Sequence, residues 1–126
     1  MTRVDDLNRQ VTSAILQAER FERLGDGRNK ALAYLEVSRL EEALAHELAA
    51  SELEGAIARR GAITAAMSAQ AFDRARNVAD VFLNEPSLPM DLVAQLEKLR
   101  AQADAAMHAL GEGTVVPVPY VLKPAA

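Results

Sequence analysis

Apolar residues recur at alternating steps of three and four along the first part of the chain. The seam consists of Val4, Leu7, Val11, Ala14, Ala18 and Phe21. This spacing places an apolar stripe along one side of a helix, and the charged residues of the segment lie off that stripe. A narrow stripe fits a partner helix better than a broad core, so it predicts helix-on-helix packing within the chain or between copies.

The same periodicity predicts four further helices, separated by glycine and proline. The turn Gly25-Asp26-Gly27 ends the first helix, because glycine can adopt the left-handed conformation of a helix cap. Pro86 and Pro89 separate the last two helices, because proline cannot continue a helix. The predicted helices cover residues 4–24, 29–50, 53–67, 70–83 and 90–110.

Two serines are predicted to begin helices. Ser51 and Glu54 form a capping-box pattern, which favours a break between the second and third helices. A single helix running straight through Ser51 is the alternative, because no glycine or proline precedes it. Ser68 is the predicted cap of the fourth helix.

The segment 114–122 differs from the rest of the chain. It is β-branched and contains two prolines, which favours an edge strand or a polyproline-like conformation. Its apolar side chains are expected to pack along a groove of this subunit or of another, and a frayed terminus is the alternative. The sequence therefore predicts a helical domain over residues 1–113 and an extended apolar arm over residues 114–126.

Composition supports an all-α fold. The chain has 126 residues, of which 50% are hydrophobic and only 4% aromatic. This composition excludes general disorder, and its richness in alanine favours closely packed helices. We expect four to five antiparallel helices in one bundle or short helical-hairpin array. In a core of alanine and leucine each residue buries little apolar surface, so oligomerisation is expected.

Charge and cysteine content exclude several classes of function. The net charge of −4 repels nucleic acids and acidic membranes. The absence of cysteine excludes disulfides, thiolate zinc sites and cysteine nucleophiles. No stretch approaches the ~20 apolar residues that a membrane span requires, and the beginning of the chain lacks a signal-peptide core. These features predict a cytoplasmic protein, and the arginine-rich, lysine-poor composition is typical of bacteria.

Two segments resemble tetratricopeptide repeats. Residues 25–32 resemble the turn and second helix of that family. In residues 72–86, Phe72, Ala75 and Pro86 are similar to the aromatic, small and terminal proline positions of the same helix. The Trp, Leu-Gly and Tyr markers of the first helix are missing. The resemblance implies a groove that binds peptides or proteins.

Residues 62–76 look like a helix-turn-helix. Ala62 would lie in the first helix, Met67-Ser68 at the turn, and Phe72 would pack inward from the second helix. An ordinary pair of antiparallel helices capped at Ser68 explains the same pattern. The residues that would contact DNA in this alternative are Arg59, Arg60, Gln70, Arg74 and Arg76.

No catalytic or metal-binding motif is predicted. Glu42 and His46 are four residues apart, whereas carboxylate-bridged di-iron bundles need Glu-x-x-His on two helices. No serine lies in a glycine-flanked nucleophile turn, and no glycine-rich loop followed by Lys-Ser/Thr is present. We therefore predict no enzyme activity, no metal and no cofactor.

The sequence favours a small protein–protein interaction module, such as an adaptor, a secretion-type chaperone or an inhibitory regulator. It would bind a protein partner, or a second copy of itself, through an apolar helical face and the arm. A helix-turn-helix regulator that reads DNA with the helix after Ser68 is the alternative. The predicted partner-binding residues are Val4, Leu7, Val11, Val116, Val118, Tyr120 and Leu122.

Overall fold

A computed structural model describes residues 2–111 of the chain, and within that range all the regular structure is helical. The helices are α1 (Arg3–Arg23), α2 (Gly27–His46), α3 (Leu53–Ser68), α4 (Phe72–Leu83) and α5 (Met90–Gly111). The all-α prediction is therefore confirmed. The predicted arm over residues 114–126 lies outside the described residues.

Successive helices pack against each other, and α3 occupies the centre. α1 packs on α2, α2 on α3, α3 on α4 and α4 on α5, while α5 also contacts α3. The central position of α3 follows from its small side chains, which let neighbouring helices approach from several sides. Its buried residues include Gly55, Ala58, Gly61, Ala62, Ala65 and Ala66.

The core joins all five helices. Its largest buried side chains include Ile63 and Met67 from α3, Phe82 from α4 and Leu96 from α5. A smaller cluster, formed by Ala18, Tyr34, Val37 and Ala65, joins α1, α2 and α3.

Two of the helix ends have the same backbone geometry. After α1, Gly25 has φ +70°, and the N–H groups of Gly25 and Asp26 donate to the carbonyls of Glu22 and Phe21. After α3, Gln70 has φ 57°, and the N–H groups of Gln70 and Ala71 donate to the carbonyls of Met67 and Ala66. Both are Schellman motifs. The first confirms the predicted glycine cap.

The break between the second and third helices is confirmed, but the predicted capping box is wrong. α2 already ends at His46, and the residue that precedes α3 is Glu52, whose side chain makes no capping hydrogen bond. Ser51 lies outside the helix. The 47–52 connection instead packs directly on the first turns of α3, where it passes close to Gly55 and the Leu48 carbonyl accepts a hydrogen bond from Arg59.

Ser68 does not cap α4, so that prediction is also wrong. Ser68 is the last residue of α3 and is buried, and α4 is preceded by Ala71, which makes no side-chain cap. The reason is the left-handed conformation of Gln70, which ends α3. Ser68 therefore still belongs to α3 and does not begin the next helix.

Asp26 caps α2 and gives a test of this turn. Its carboxylate accepts hydrogen bonds from the side-chain amide of Asn29 at 2.7 Å and from the Asn29 backbone N–H at 3.1 Å. These bonds lower the Asp26 pKa below its ordinary value of 3.8. Because the pKa is lower in the folded state, the cap stabilises the fold above that value, and the contribution is lost as the pH falls through the folded pKa.

We therefore expect Asp26→Ala to lower the melting temperature at pH 7 and to lose this effect as the pH falls below 3.8. Asp26→Asn keeps a side-chain acceptor without a titrating group and serves as the control. Thermal unfolding followed by circular dichroism measures both. An Asp26→Ala deficit that is equally large at pH 7 and in acid would contradict this description of the cap.

Candidate docking groove between α1 and α2

The beginning of the predicted seam is covered by the chain itself. Leu7 and Val11 are each 5% exposed and belong to the main core, and Val4 is half-buried against the same core. Leu7 and Val11 therefore offer almost no surface to a partner unless α1 is displaced, whereas Val4 keeps part of its side chain exposed. Val116, Val118, Tyr120 and Leu122 lie outside the described residues.

A groove runs along the other flank of the α1–α2 hairpin. It has a volume of about 470 Å³ and is open on its outer side. The later part of the seam contributes to it, because Ala14 and Phe21 are half-buried and face the groove. We call it the α1–α2 groove, lined by Gln10, Ser13, Ala14, Gln17, Phe21, Asn29, Leu32, Ala33, Glu36 and Leu40.

Half of the groove lining is apolar. Ala14 and Ala33 are small, so Phe21, Leu32 and Leu40 supply most of its apolar surface. Leu32 is 55% exposed, which is high for a leucine in the middle of a helix. An apolar side chain placed against Leu32 would remove this surface from water, and such burial is the main favourable term in association.

The other half of the lining is polar and almost uncharged. Gln10 and Gln17 carry carboxamides and Ser13 a hydroxyl, whereas the Asn29 amide already donates to Asp26. Glu36 is the charged residue of the lining and lies 3.8 Å from Arg39. A carboxamide both donates and accepts hydrogen bonds. The groove therefore combines apolar surface with groups that can bind a peptide backbone.

The groove residues follow a pattern that our sequence analysis did not use. On α1 they lie at positions 10, 13, 14, 17 and 21, and on α2 at positions 29, 32, 33, 36 and 40. Both sets have the three-and-four spacing of one helix face. The groove could have been predicted from this pattern, in which two consecutive helices each have one face of small, amide and large apolar residues.

The arginines of the DNA-binding alternative each contact another side chain within the protein. Arg59 is buried and forms two hydrogen bonds of 2.7 Å with the Glu85 carboxylate. Arg60 donates to Gln95 at 2.6 Å, and the side chain of Arg76 lies 3.5 Å from that of Asp104.

Arg74 and Gln70 complete this set. Arg74 donates to the Ser38 hydroxyl at 3.0 Å and to the Glu42 carboxylate at 2.8 Å. Gln70 lies in the connection before α4 and is not part of a recognition helix. These acidic partners offset most of the positive charge that phosphate binding would use.

The described residues contain no group of three His, Asp or Glu side chains arranged to hold a metal ion. The His46 ring lies beside Phe82, with their centroids 6.2 Å apart. None of the helices within residues 2–111 is both long and apolar enough to cross a membrane.

Comparisons with family models, with curated proteins and with solved structures return no match. The tetratricopeptide resemblance therefore depends on its two short segments alone. The α1–α2 groove is the candidate site on which a functional proposal can be based.

Proposed function

We propose that this protein is a protein–protein interaction module that binds an extended, mainly apolar segment of a partner chain in the α1–α2 groove. The observation that carries the proposal is the combination in one open groove of exposed apolar surface at Leu32 with the carboxamides of Gln10 and Gln17. Adaptors, chaperones and inhibitory regulators act through surfaces of this kind. The cytoplasm is the compartment in which we propose that this binding takes place.

The polar part of the lining favours an extended segment over a helix. A bound helix satisfies its own backbone groups and would bring mainly side chains to the groove. An extended segment presents N–H and C=O groups that need partners when they leave water. Gln10 and Gln17 lie seven residues apart on the same face of α1, and both line the groove. They can therefore provide such partners at two points along a bound segment.

The size of the groove indicates modest affinity. About 470 Å³ lies at the lower end of the range of ligand pockets, roughly 300–1,000 Å³. Two or three apolar anchors buried there would each contribute about 1.5–3 kcal/mol, and much of this is offset by the cost of ordering the segment. We therefore expect exchangeable binding, with dissociation constants on the order of micromolar.

Site-specific photo-cross-linking tests the proposal. Leu32→p-benzoylphenylalanine places a reactive group in the groove, and Leu53→p-benzoylphenylalanine places it on an exposed leucine of α3 outside the groove. We expect position 32 in native cells to form adducts that position 53 does not form. Mass spectrometry of the cross-linked peptides then identifies the bound segment.

The identified segment is synthesised and titrated against the purified protein. We expect Leu32→Glu to weaken its binding by about tenfold or more and Leu53→Glu to leave it unchanged. Equal adduct formation at positions 32 and 53, or equal affinity of the segment for the Leu32→Glu variant, would overturn the proposal.

A further inference from the structure

The residues that line the α1–α2 groove can be placed in order along it, because α1 and α2 run antiparallel. Arg3, the first residue of α1, donates to Glu47, the residue after α2, at 2.7 Å. Further along the hairpin, Ala18 packs in one cluster with Val37. The lining residues of α1 therefore follow each other in the opposite direction to those of α2.

The groove is as long as a short extended peptide. Gln10 and Leu40 lie at one end, and Phe21 and Asn29 lie at the other. On each helix the lining advances by eleven residues, which corresponds to about 16 Å along the helix axis. An extended chain advances by about 3.3–3.6 Å per residue, so about five of its residues cover this length.

The large apolar side chains of the lining are concentrated towards the two ends. Leu40 lies at one end, and Leu32 and Phe21 lie towards the other. Leu32 and Leu40 are eight residues apart on α2, which separates them by about 12 Å along the helix axis. Between them the lining has the small side chains of Ala14 and Ala33. The groove therefore contains two apolar subsites, the Leu32 subsite and the Leu40 subsite.

The distance between the two subsites fits two side chains on the same side of an extended segment. Side chains alternate along a strand, so residues i and i+4 point the same way and lie about 13 Å apart. In a helix, residues i and i+4 are only about 6 Å apart, and a comparable distance requires a spacing of about seven or eight residues. A spacing of four therefore distinguishes an extended occupant from a helical one.

The lining favours a segment without charge. Glu36 is the charged residue of the lining, and its carboxylate already lies 3.8 Å from Arg39. A charged side chain of the segment would leave water without meeting a counterion that is still unpaired. Gln10, Ser13 and Gln17 instead offer neutral hydrogen-bonding groups to its backbone.

We propose that the α1–α2 groove recognises an uncharged, extended stretch of five residues with large apolar side chains at its first and fifth positions. One of these side chains packs against Leu32 and Phe21, and the other packs against Leu40. Leu32 and Leu40 thereby set the spacing that the groove selects. This inference names the class of segment for the proposed function and depends on it.

A series of four synthetic peptides tests the spacing. Each has an uncharged background of glutamine, serine and alanine and two leucines, at positions 1 and 4, 1 and 5, 1 and 6, or 1 and 8. We expect the 1-and-5 peptide to bind at least about tenfold more tightly than the other three, because it alone can bury both leucines when extended. Fluorescence anisotropy of dye-labelled peptides, titrated with the purified full-length protein, measures the dissociation constants.

Leu32→Ala tests whether one subsite holds one end of the peptide. Leu32 is 55% exposed, so the fold should be retained, which circular dichroism checks. With the wild-type protein, replacing either leucine of the 1-and-5 peptide by serine should weaken binding about tenfold or more. With Leu32→Ala, one of these replacements should lose most of its effect and the other should keep it. Leu53→Ala, outside the groove and 74% exposed in the wild type, should keep both effects.

Several results would overturn the inference. Tightest binding of the 1-and-8 peptide would indicate a helical occupant, and equal affinities would show that the groove selects no spacing. Absence of binding by all four peptides would equally contradict it. If the segment cross-linked at position 32 binds the groove but lacks the spacing, the proposed function stands and this inference fails. If position 32 forms no adducts beyond those of position 53, both fail.

Discussion

Gly55→Ala is expected to destabilise the protein by about 3 kcal/mol, at the upper end of the usual cost of overpacking. A Cβ atom at Gly55 would lie 1.9 Å from the Ala49 carbonyl oxygen and 2.8 Å from its carbon. Both are backbone atoms of the α2–α3 connection, so they cannot rotate away as a side chain would. The alanine would force this connection off the first turns of α3.

The sign of this effect separates tertiary packing from helix propensity. Inside a helix, Gly→Ala normally stabilises by about 1 kcal/mol. Gly27→Ala is the matched control, because no atom lies within 4 Å of its added Cβ and the residue begins α2. Urea unfolding should show a lower midpoint for Gly55→Ala and an unchanged or higher midpoint for Gly27→Ala. A stabilised Gly55→Ala variant would contradict the close approach of the connection.

Arg59→Ala is expected to cost about 3 kcal/mol, the lower end of the range for breaking a buried ion pair. The Arg59 side chain is 4% exposed, and its guanidinium binds both oxygens of Glu85 at the end of α4. The same group donates to the carbonyls of Leu48 at 3.2 Å and Gly55 at 3.0 Å and lies over the Phe82 ring. It thereby joins the α2–α3 connection to α4.

The expected cost is at the lower end because the Glu85 side chain is 28% exposed and can be hydrated once it loses its partner. Arg60→Ala is the control, since the neighbouring Arg60 makes an exposed hydrogen bond to Gln95. It should change the free energy of unfolding by no more than about 0.5 kcal/mol. Equal losses in the two variants, measured by urea unfolding, would show that Arg59 is not a structural link.

Helix positions were predictable because they depend on local signals. The apolar spacing, the Gly25 turn and the two prolines before α5 are each read over a few residues, and each agrees with the structure. The end of α3 is set by a left-handed Gln70, a conformation for which glutamine carries no sequence signal. This is why the prediction that Ser68 caps α4 is wrong.

The candidate site was harder to predict, because the periodicity of an apolar stripe does not show whether the chain's own core or a partner covers it. Leu7 and Val11 have the spacing of a docking seam, but the chain's own core covers them. In the sequence, Arg59 and Arg60 form a basic pair that suggests an exposed position. The partner of Arg59 in the structure is Glu85, which follows α4 and is 26 residues away in the sequence. Contacts between residues so distant in the sequence depend on the tertiary arrangement.

The central claim, that the α1–α2 groove binds extended apolar segments, is tested most directly by methyl NMR. The segment that cross-links to position 32 is synthesised and titrated into the purified protein. We expect saturable shifts of the Leu32 and Leu40 methyl signals and none of the Leu53 signals. Unchanged Leu32 and Leu40 signals at saturating peptide, or shifts of the same size at Leu53, would contradict this claim.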